Sequence, residues 1–583
     1  MLLLVAFAVI FAFSGPFEYA SGQLKPTLLV TTLLLLCTGV AFWALGQATG
    51  TSDNRTLLMT VVLVAVSLRL IGLFTCPILE IDYYRYLWDG KVIAQGVSPY
   101  QYSPSQIIKQ SEDTNSLATE GFSQDSDLAT LVELAVASPS NNAILKRIHF
   151  SEYSTLYPPV SQVVFGAAMK WLPASASVEA HIFFIKATLV GFDLMILAII
   201  LWMLRHLKIH TGWSIAYAWN PLVVKEISNG GHLDSIAAFF LVLSIALLVK
   251  WLSSSRNRSV SWLPGLSGVC LGLGVGAKLF PIVLFPALLV SSARVGWSRG
   301  LLFGAAFSAA AGLSLYPMYH SINHAEQNDE RRAVGQSVSE DTTEQTPPIH
   351  KKEESTPQAD DVNPFGPQLP GKKEGLTSFL SRWRMNDVIF SGIYENFKPT
   401  LVAKSDLPDD QRFQAWYVIS TPEFRSWAKQ QWESRFPHSS NWAFSMARVL
   451  TLGPFCLFYL WQLVAIYRRR PAPESEGEES TSLEFNRLVW ILVLFLFLQP
   501  TVNPWYWVWV APLTVLTKNR GWILAGGLLL VYYSRFWFES LPESFEIAGY
   551  SGVGLFDHGV AWIEFAAVIG VLAITGAYKA VKQ

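Results

Sequence analysis

The residues best placed to do chemistry lie in the stretch 78–104, ILEIDYYRYLWDGKVIAQGVSPYQYSP. An apolar run, Thr56 to Thr75, comes just before it, so Glu80 and Asp82 emerge at a membrane surface rather than in bulk water. A carboxylate at the mouth of a membrane cavity is partly desolvated, which raises its pKa and makes it a better base toward a hydroxyl. The competing reading is that Asp82 only caps the helix that follows. If 82–95 is that helix, Asp82, Arg85, Tyr86 and Asp89 fall at i, i+3, i+4 and i+7, two acids and a cation on one face. Leu87, Val92 and Ile93 lie elsewhere on it, the pattern of a helix resting on the membrane interface. Gly96 and Pro99 end the pattern, and Tyr100, Tyr102 and Pro104 read as extended.

Further polar groups stand beside other apolar runs. Trp219-Asn220-Pro221 and Lys225-Glu226 precede Asn229-Gly-Gly-His232-Leu-Asp234, where the glycines free the backbone for a close approach. His232 and Asp234 would be costly at a membrane edge without a role; the bland alternative makes Asp234 an N-cap and sets His232 in water. Lys278, between two apolar runs and followed by Pro281, is either a snorkelling anchor or a phosphate contact. Tyr157-Pro158-Pro159 opens a short helix with Gln162 one turn in, and Asn503-Pro504-Trp505-Tyr506-Trp507 is either an aromatic belt or a sugar platform. Lys186 and Asp193, seven residues apart in one apolar run, could neutralise each other.

The elements that must position these groups are membrane helices. Of 583 residues, 51% are hydrophobic, 13% aromatic and only 15% charged, too apolar for a soluble chain of this length. At about 20 apolar residues per crossing, spans are expected near 2–13, 27–47, 56–75, 180–205, 211–228, 233–252, 298–318, 441–467, 484–499, 521–537 and 559–579. Shorter runs at 157–172, 262–275, 278–293 and 503–517 read as half-crossings, the first as a helix that does not cross. The N-terminus lacks a signal peptide's basic flank and cleavage site, and reads as a first membrane helix. Basic clusters at Arg205/His206/Lys208, Arg256/Arg258, Arg294/Arg299, Arg468 to Arg470, Lys518/Arg520 and Lys579/Lys582 belong on the cytoplasmic side. That places the 78–156 loop, the Asn229–Asp234 turn, Lys278, the 320–440 insert and the Asn503–Trp507 turn on the other side.

The fold expected is an all-α polytopic membrane protein of about 11–15 crossing or half-crossing helices, with interface helices in the first outer loop. Its parts are membrane helices over 1–75, an acidic outer loop over 76–156 and a membrane core over 157–320. A disordered polar linker over 321–376, a small helical cap over 377–440 and further membrane helices over 441–583 complete it. With a net charge of −1 and no basic stripe, nucleic acid is excluded as a partner. The four cysteines, in or beside apolar runs, make no disulfide or zinc framework. A divalent ion could sit on the Glu80/Asp82 pair, but two carboxylates without a third ligand nearby make a poor case for one. No Walker loop, GxGxxG or HExxH motif is present to dock a soluble nucleotide donor, and a donor carried in the membrane needs none.

Taken in order, Asp82-Tyr-Tyr-Arg-Tyr-Leu-Trp-Asp-Gly-Lys-Val, Leu156-Tyr-Pro-Pro-Val-Ser-Gln, Trp219-Asn-Pro, Gly231-His-Leu-Asp, Lys278-Leu-Phe-Pro and Asn503-Pro-Trp-Tyr resemble the GT-C membrane glycosyltransferases. The nearest branches are the bacterial polyprenol-phosphate-mannose-dependent mannosyltransferases and, more distantly, the enzyme that adds the first mannose to GPI precursors. The resemblance covers most of 56–320 and 440–517. It implies a GT-C-type bundle and inverting transfer of a sugar, by family default mannose, from a polyprenyl phosphate to a glycan or lipid acceptor. The setting implied is the outer side of a bacterial inner membrane. Glu80-x-Asp82 stands where the family carries its acidic pair, often Asp-x-Asp, which makes Asp82 the general base. Arg85 and Lys278 are the candidate cations for the departing phosphate. Asp89, Tyr100, Tyr157, Gln162, His232, Asp234 and Trp505 are candidate substrate contacts. The GPI enzyme's Arg-Gly-Asn region aligns loosely with Asn229 to Asp234, where this chain lacks the arginine. The other readings are a transporter or flippase of lipid-linked sugars, favoured by broken helices, and a non-catalytic assembly subunit.

Overall fold

A backbone that crosses lipid must satisfy its own N–H and C=O groups, and a run of about twenty apolar residues does so by closing into a helix. The computed structural model shows an all-α polytopic membrane protein. The structure describes residues 2–12, 27–116, 126–173, 175–253, 261–340, 383–398, 415–436, 441–468, 477–542 and 544–582. Among these, seven helices are long and apolar enough to cross a bilayer: Thr27–Thr49, Arg55–Leu73, Val178–His206, Asp234–Ser253, Trp297–Ser321, Trp442–Arg468 and Gly552–Gly576.

Two expected spans come out broken. The run 211–228 divides into a 3-10 turn (Thr211–Ser214), short α turns (Ile215–Ala218, Pro221–Val223) and a π turn (Val224–Asn229). Pro221 has no N–H to give, and the Asn220 side chain accepts from Leu222 N at 3.0 Å to restart the helix. The run 521–537 likewise alternates α and 3-10 turns. Residues 215–218 and 220–237 are buried, and irregular backbone is tolerated at such depth where protein covers it. The Pro159–Lys170 helix has 12 residues, about 18 Å at 1.5 Å per residue, short of an apolar core about 30 Å thick.

The helix expected over 82–95 runs Tyr83–Ala94, but it lacks the one wet face expected of it, because Tyr83 through Val92 are all buried. The reason is Gly90, packed so closely that a Cβ there would meet the Phe165 carbonyl at 2.6 Å. On the facing Pro159–Lys170 helix, a Cβ on Gly166 would lie 2.4 Å from Ile93. Small residues on both helices let the backbones touch and draw the acid-bearing helix inside. Lys186 and Asp193 do not pair either: seven residues are two helical turns, about 10 Å along the axis. Asp193 instead meets Arg69 at 2.7 Å and accepts from the Tyr217 hydroxyl, while Lys186 Nζ donates to the Gly72 and Thr75 carbonyls at 2.8 and 2.7 Å.

The Trp297–Glu340 helix continues into the stretch expected as a disordered linker. Residues 341–376 of that linker, Arg256/Arg258 and residues 472–476 of the acidic loop lie outside the described residues. Within the expected cap, helices form at Val388–Phe397 and Pro422–Glu433. At one end of the bundle the 49–55 turn meets the segment just after Arg205/His206/Lys208, through Thr211 N to Asp53 Oδ2 at 2.9 Å, and the Lys518/Arg520 cluster, through Arg520 Nη2 to Thr49 Oγ1 at 2.7 Å. The Arg55–Leu73 helix starts there, and its far end delivers the chain to Glu80 and Asp82.

Candidate active site

A cavity of about 690 Å³ opens at that far end, and Glu80, Asp82, Arg85, Tyr157, Lys278 and Trp505 all line it. Asp82 and Lys278, separated by most of two hundred residues in sequence, therefore share one chamber. The acidic pair arrives there in a fixed shape. Asn229 clasps the approaching chain, its Oδ1 accepting from Ile78 N at 2.9 Å and its Nδ2 donating to Cys76 O at 2.7 Å. Buried Leu79 then takes φ +54°, a conformation uncommon for a residue with a side chain, and turns Glu80 inward.

The two acids part company at this point. Glu80 is buried and both of its oxygens are engaged: Oε1 accepts from Ile81 N (3.0 Å) and Asp82 N (2.9 Å), and Oε2 lies 2.8 Å from His232 Nε2. Burial alone would raise its pKa, but the His232 charge, its contact and Lys225 outweigh that and hold Glu80 ionised, below the ordinary value. Asp82 is half-buried, faces the cavity and makes no capping bond to its own helix. The Tyr157 hydroxyl approaches its Oδ2 at 3.4 Å. Burial and then the neighbouring Glu80 charge push the Asp82 pKa up to about 7, partly offset by His232 and Lys278. An acid so poised is half ionised near neutrality, where a general base works best.

His232 is clamped between two carboxylates, with Nδ1 3.1 Å from Glu226 Oε2 on the side away from Glu80. Gly231, at φ +72°, makes the turn that aims it. Burial works against a charge on the ring, but Glu80 and Glu226 outweigh it and raise its pKa well above the ordinary value. The resulting imidazolium stacks on Trp505 at 4.5 Å and 16°. Glu226 is further tied to the Tyr533 hydroxyl and to Lys225 Nζ at 3.3 Å. Glu80, Asp82 and His232 could each offer one ligand atom, all within 4.8 Å of one another. His232 is thus the third ligand that the sequence did not show beside the acidic pair, and a divalent ion held by the three would bind an ionised Asp82 and a neutral imidazole.

Lys278 forms the other wall. Its Nζ lies 2.6 Å from Asp234 Oδ1, which also accepts from Trp509 Nε1, and it sits 4.8 Å above the Tyr506 ring. Asp234, expected as a cap or a substrate contact, thus holds the lysine, and its Oδ2 is buried without a partner among the described residues. Asp89, Tyr100, Gln162 and His232, expected as substrate contacts, stand behind the wall rather than on it. Asp89 pairs with Arg85 Nε at 3.0 Å and accepts from Gln162 Nε2 at 2.9 Å, which locks the acid-bearing helix to the Pro159–Lys170 helix. Tyr100 donates to the Tyr157 carbonyl at 2.8 Å. Arg85 reaches the cavity while its Nη1 donates to Tyr153 O at 3.0 Å.

Residues that sequence reasoning passed over also line the chamber, notably Trp383, Arg448, Trp509, Tyr533 and Arg535. A lone arginine inside an apolar run, such as Arg448 in 441–467, was the available signal.

Residues 11–120 match a family model described as the N-terminal domain of alpha-(1->6)-mannopyranosyltransferases. That stretch contains the acidic pair, Arg85 and Asp89 and stops short of His232, Lys278 and Trp505. No curated protein and no solved structure matches the chain.

Proposed function

We propose that this protein is an integral-membrane inverting glycosyltransferase that moves mannose from a polyprenyl-phosphate donor to a glycan or lipid acceptor on the extracytoplasmic side. The observation that carries the reading is the shared chamber: a carboxylate with its pKa raised to about 7 faces the same cavity as Lys278 and Arg85. The similarity of residues 11–120 to mannopyranosyltransferases supports the same activity class and the choice of mannose. Asp82 takes the proton from the acceptor hydroxyl as its oxygen attacks the anomeric carbon from the face opposite the phosphate. The bond from that carbon to the phosphate oxygen breaks, and its electron pair leaves with the phosphate. Lys278 and Arg85 meet the charge that develops there, the kind of fixed electrostatic help that contributes most to such steps. A lipid phosphate is a good leaving group, so no acid is needed on its side.

Glu80, with both oxygens engaged, acts by fixing Asp82 rather than by moving a proton. The transporter alternative wants its polar groups near mid-depth, whereas Glu80, Asp82, Asp234 and Lys278 all sit at or beyond helix ends. The test supplies the purified protein with radiolabelled mannosyl polyprenyl phosphate and a membrane extract. Label appearing in a new glycosidic linkage supports transfer. In proteoliposomes, movement of the labelled lipid between leaflets without a new linkage would establish the transporter reading instead.

A further inference from the structure

Part of the insert lines the cavity. Residues 383–386 form a strap bound to the segment just ahead of Asn503: Met385 N donates to Pro500 O at 2.9 Å and Val502 N to Met385 O at 2.8 Å, a parallel bridge. Asn386 Nδ2 adds a bond to Val502 O at 3.3 Å, and the Tyr532 hydroxyl reaches Met385 Sδ at 3.2 Å. Arg384 ties the strap back to the insert through Asp387 and Glu395, both at 3.0 Å. This part of the insert is therefore joined to the catalytic rim rather than tethered loosely beside it.

The strap sets Trp383 into the cavity wall, and its ring meets Phe150 edge-on at 4.5 Å and 70°. Phe150, at φ +54°, is in turn stacked on His149 at 3.9 Å and 11°. Both Phe150 and His149 belong to the outer loop that carries Asp82, and both line the cavity. Glu80 and Asp82 line that same cavity. Arg535 and Glu539, paired with each other at 3.7 Å, with Arg535 also on Asp557 at 3.2 Å, line the same chamber. An aromatic wall in a chamber that also carries charged groups suits a pyranose, whose C–H face packs on a negative π-face while its hydroxyls find donors and acceptors. A polyprenyl chain has no use for such polar neighbours.

We propose that Trp383, with Phe150 and His149, forms the binding subsite for the acceptor sugar, so that the insert sets which glycan is extended. The proposal rests on the glycosyl-transfer reading for the meaning of "acceptor", but the site itself is a claim about sugar binding and is tested without turnover. The probe is methyl α-1,6-mannobioside. Saturation-transfer NMR on the full chain in detergent is expected to show contact with the disaccharide in the wild type, loss of it in Trp383→Ala, and retention in Trp383→Phe, which keeps a ring. In turnover, Trp383→Ala is expected to raise the KM for the disaccharide about tenfold and leave the KM for the lipid donor within about twofold. An unchanged acceptor KM in Trp383→Ala overturns the subsite while leaving transfer standing, and so does absence of saturation transfer to the wild type. Binding through Trp383 with no transfer by the wild type to any acceptor removes the transfer reading and leaves the sugar subsite.

Discussion

At the scale of single residues the site depends on giving two neighbouring carboxylates different jobs. Glu80 is buried, paired with a charged His232 and fixed; Asp82, two positions on, is half-buried and carries the repulsion of Glu80 as a raised pKa. As a base Asp82 must be ionised, and its pKa lies above the ordinary carboxylate value, so activity is lost on the acid side. The kcat/KM for mannosyl transfer is expected to rise with pH with its midpoint at about 7 and to level off above it. The positive charge on His232 lowers the Asp82 pKa, so His232→Gln should move that rise to higher pH and reduce the plateau. A profile unmoved by His232→Gln would separate the imidazolium from the base. Asp82, His232, Asp234 and Lys278 were legible in the sequence, because a polar side chain beside an apolar run is conspicuous. Their pairings were not: Lys225-Glu226 looks like a surface pair, and nothing local shows that Glu226 folds back onto His232.

At the scale of elements, the close approach of two short helices decides where the base sits. Gly90 and Gly166 allow the Tyr83–Ala94 and Pro159–Lys170 backbones to touch, and Asp89 with Gln162 bridges them at 2.9 Å. Gly90→Ala adds one methyl against a carbonyl that cannot give, and overpacking of this kind costs about 1–3 kcal/mol. The substitution is expected to lower the thermal midpoint in detergent and to reduce kcat more than donor binding, because it shifts the helix that begins at Asp82. A Gly90→Ala protein with unaltered midpoint and rate would show that the approach is not needed. The amphipathic pattern of 82–95 revealed a helix but not what its polar face meets, since polar residues that mark a wet face are here satisfied by neighbours inside the protein. Helical periodicity records which residues share a face; it does not record what that face meets.

At the scale of the whole molecule, charge and chemistry lie at opposite ends. The turn at 49–55 gathers Arg520 and the 205–211 segment, while the cavity and the strap from the insert occupy the other end. On the proposed extracytoplasmic placement of the active site, with the basic end inside, Ser52→Cys should react with a membrane-impermeant maleimide only after cells are permeabilised. Glu433→Cys, exposed in the insert, should react in intact cells. The reverse pattern would place the active site in the cytoplasm. Long apolar runs made most of the spans legible, and breaks such as the π turn at Val224–Asn229 were not, because they depend on burying Lys225 and Glu226 against partners far away in the chain. The central claim is that Asp82 removes the acceptor proton. Measured with mannosyl polyprenyl phosphate and a competent acceptor, Asp82→Asn should keep the donor KM and lose about 10²–10⁴ in kcat, the usual share of a general base. An Asp82→Asn protein that turns over at the wild-type rate would contradict it.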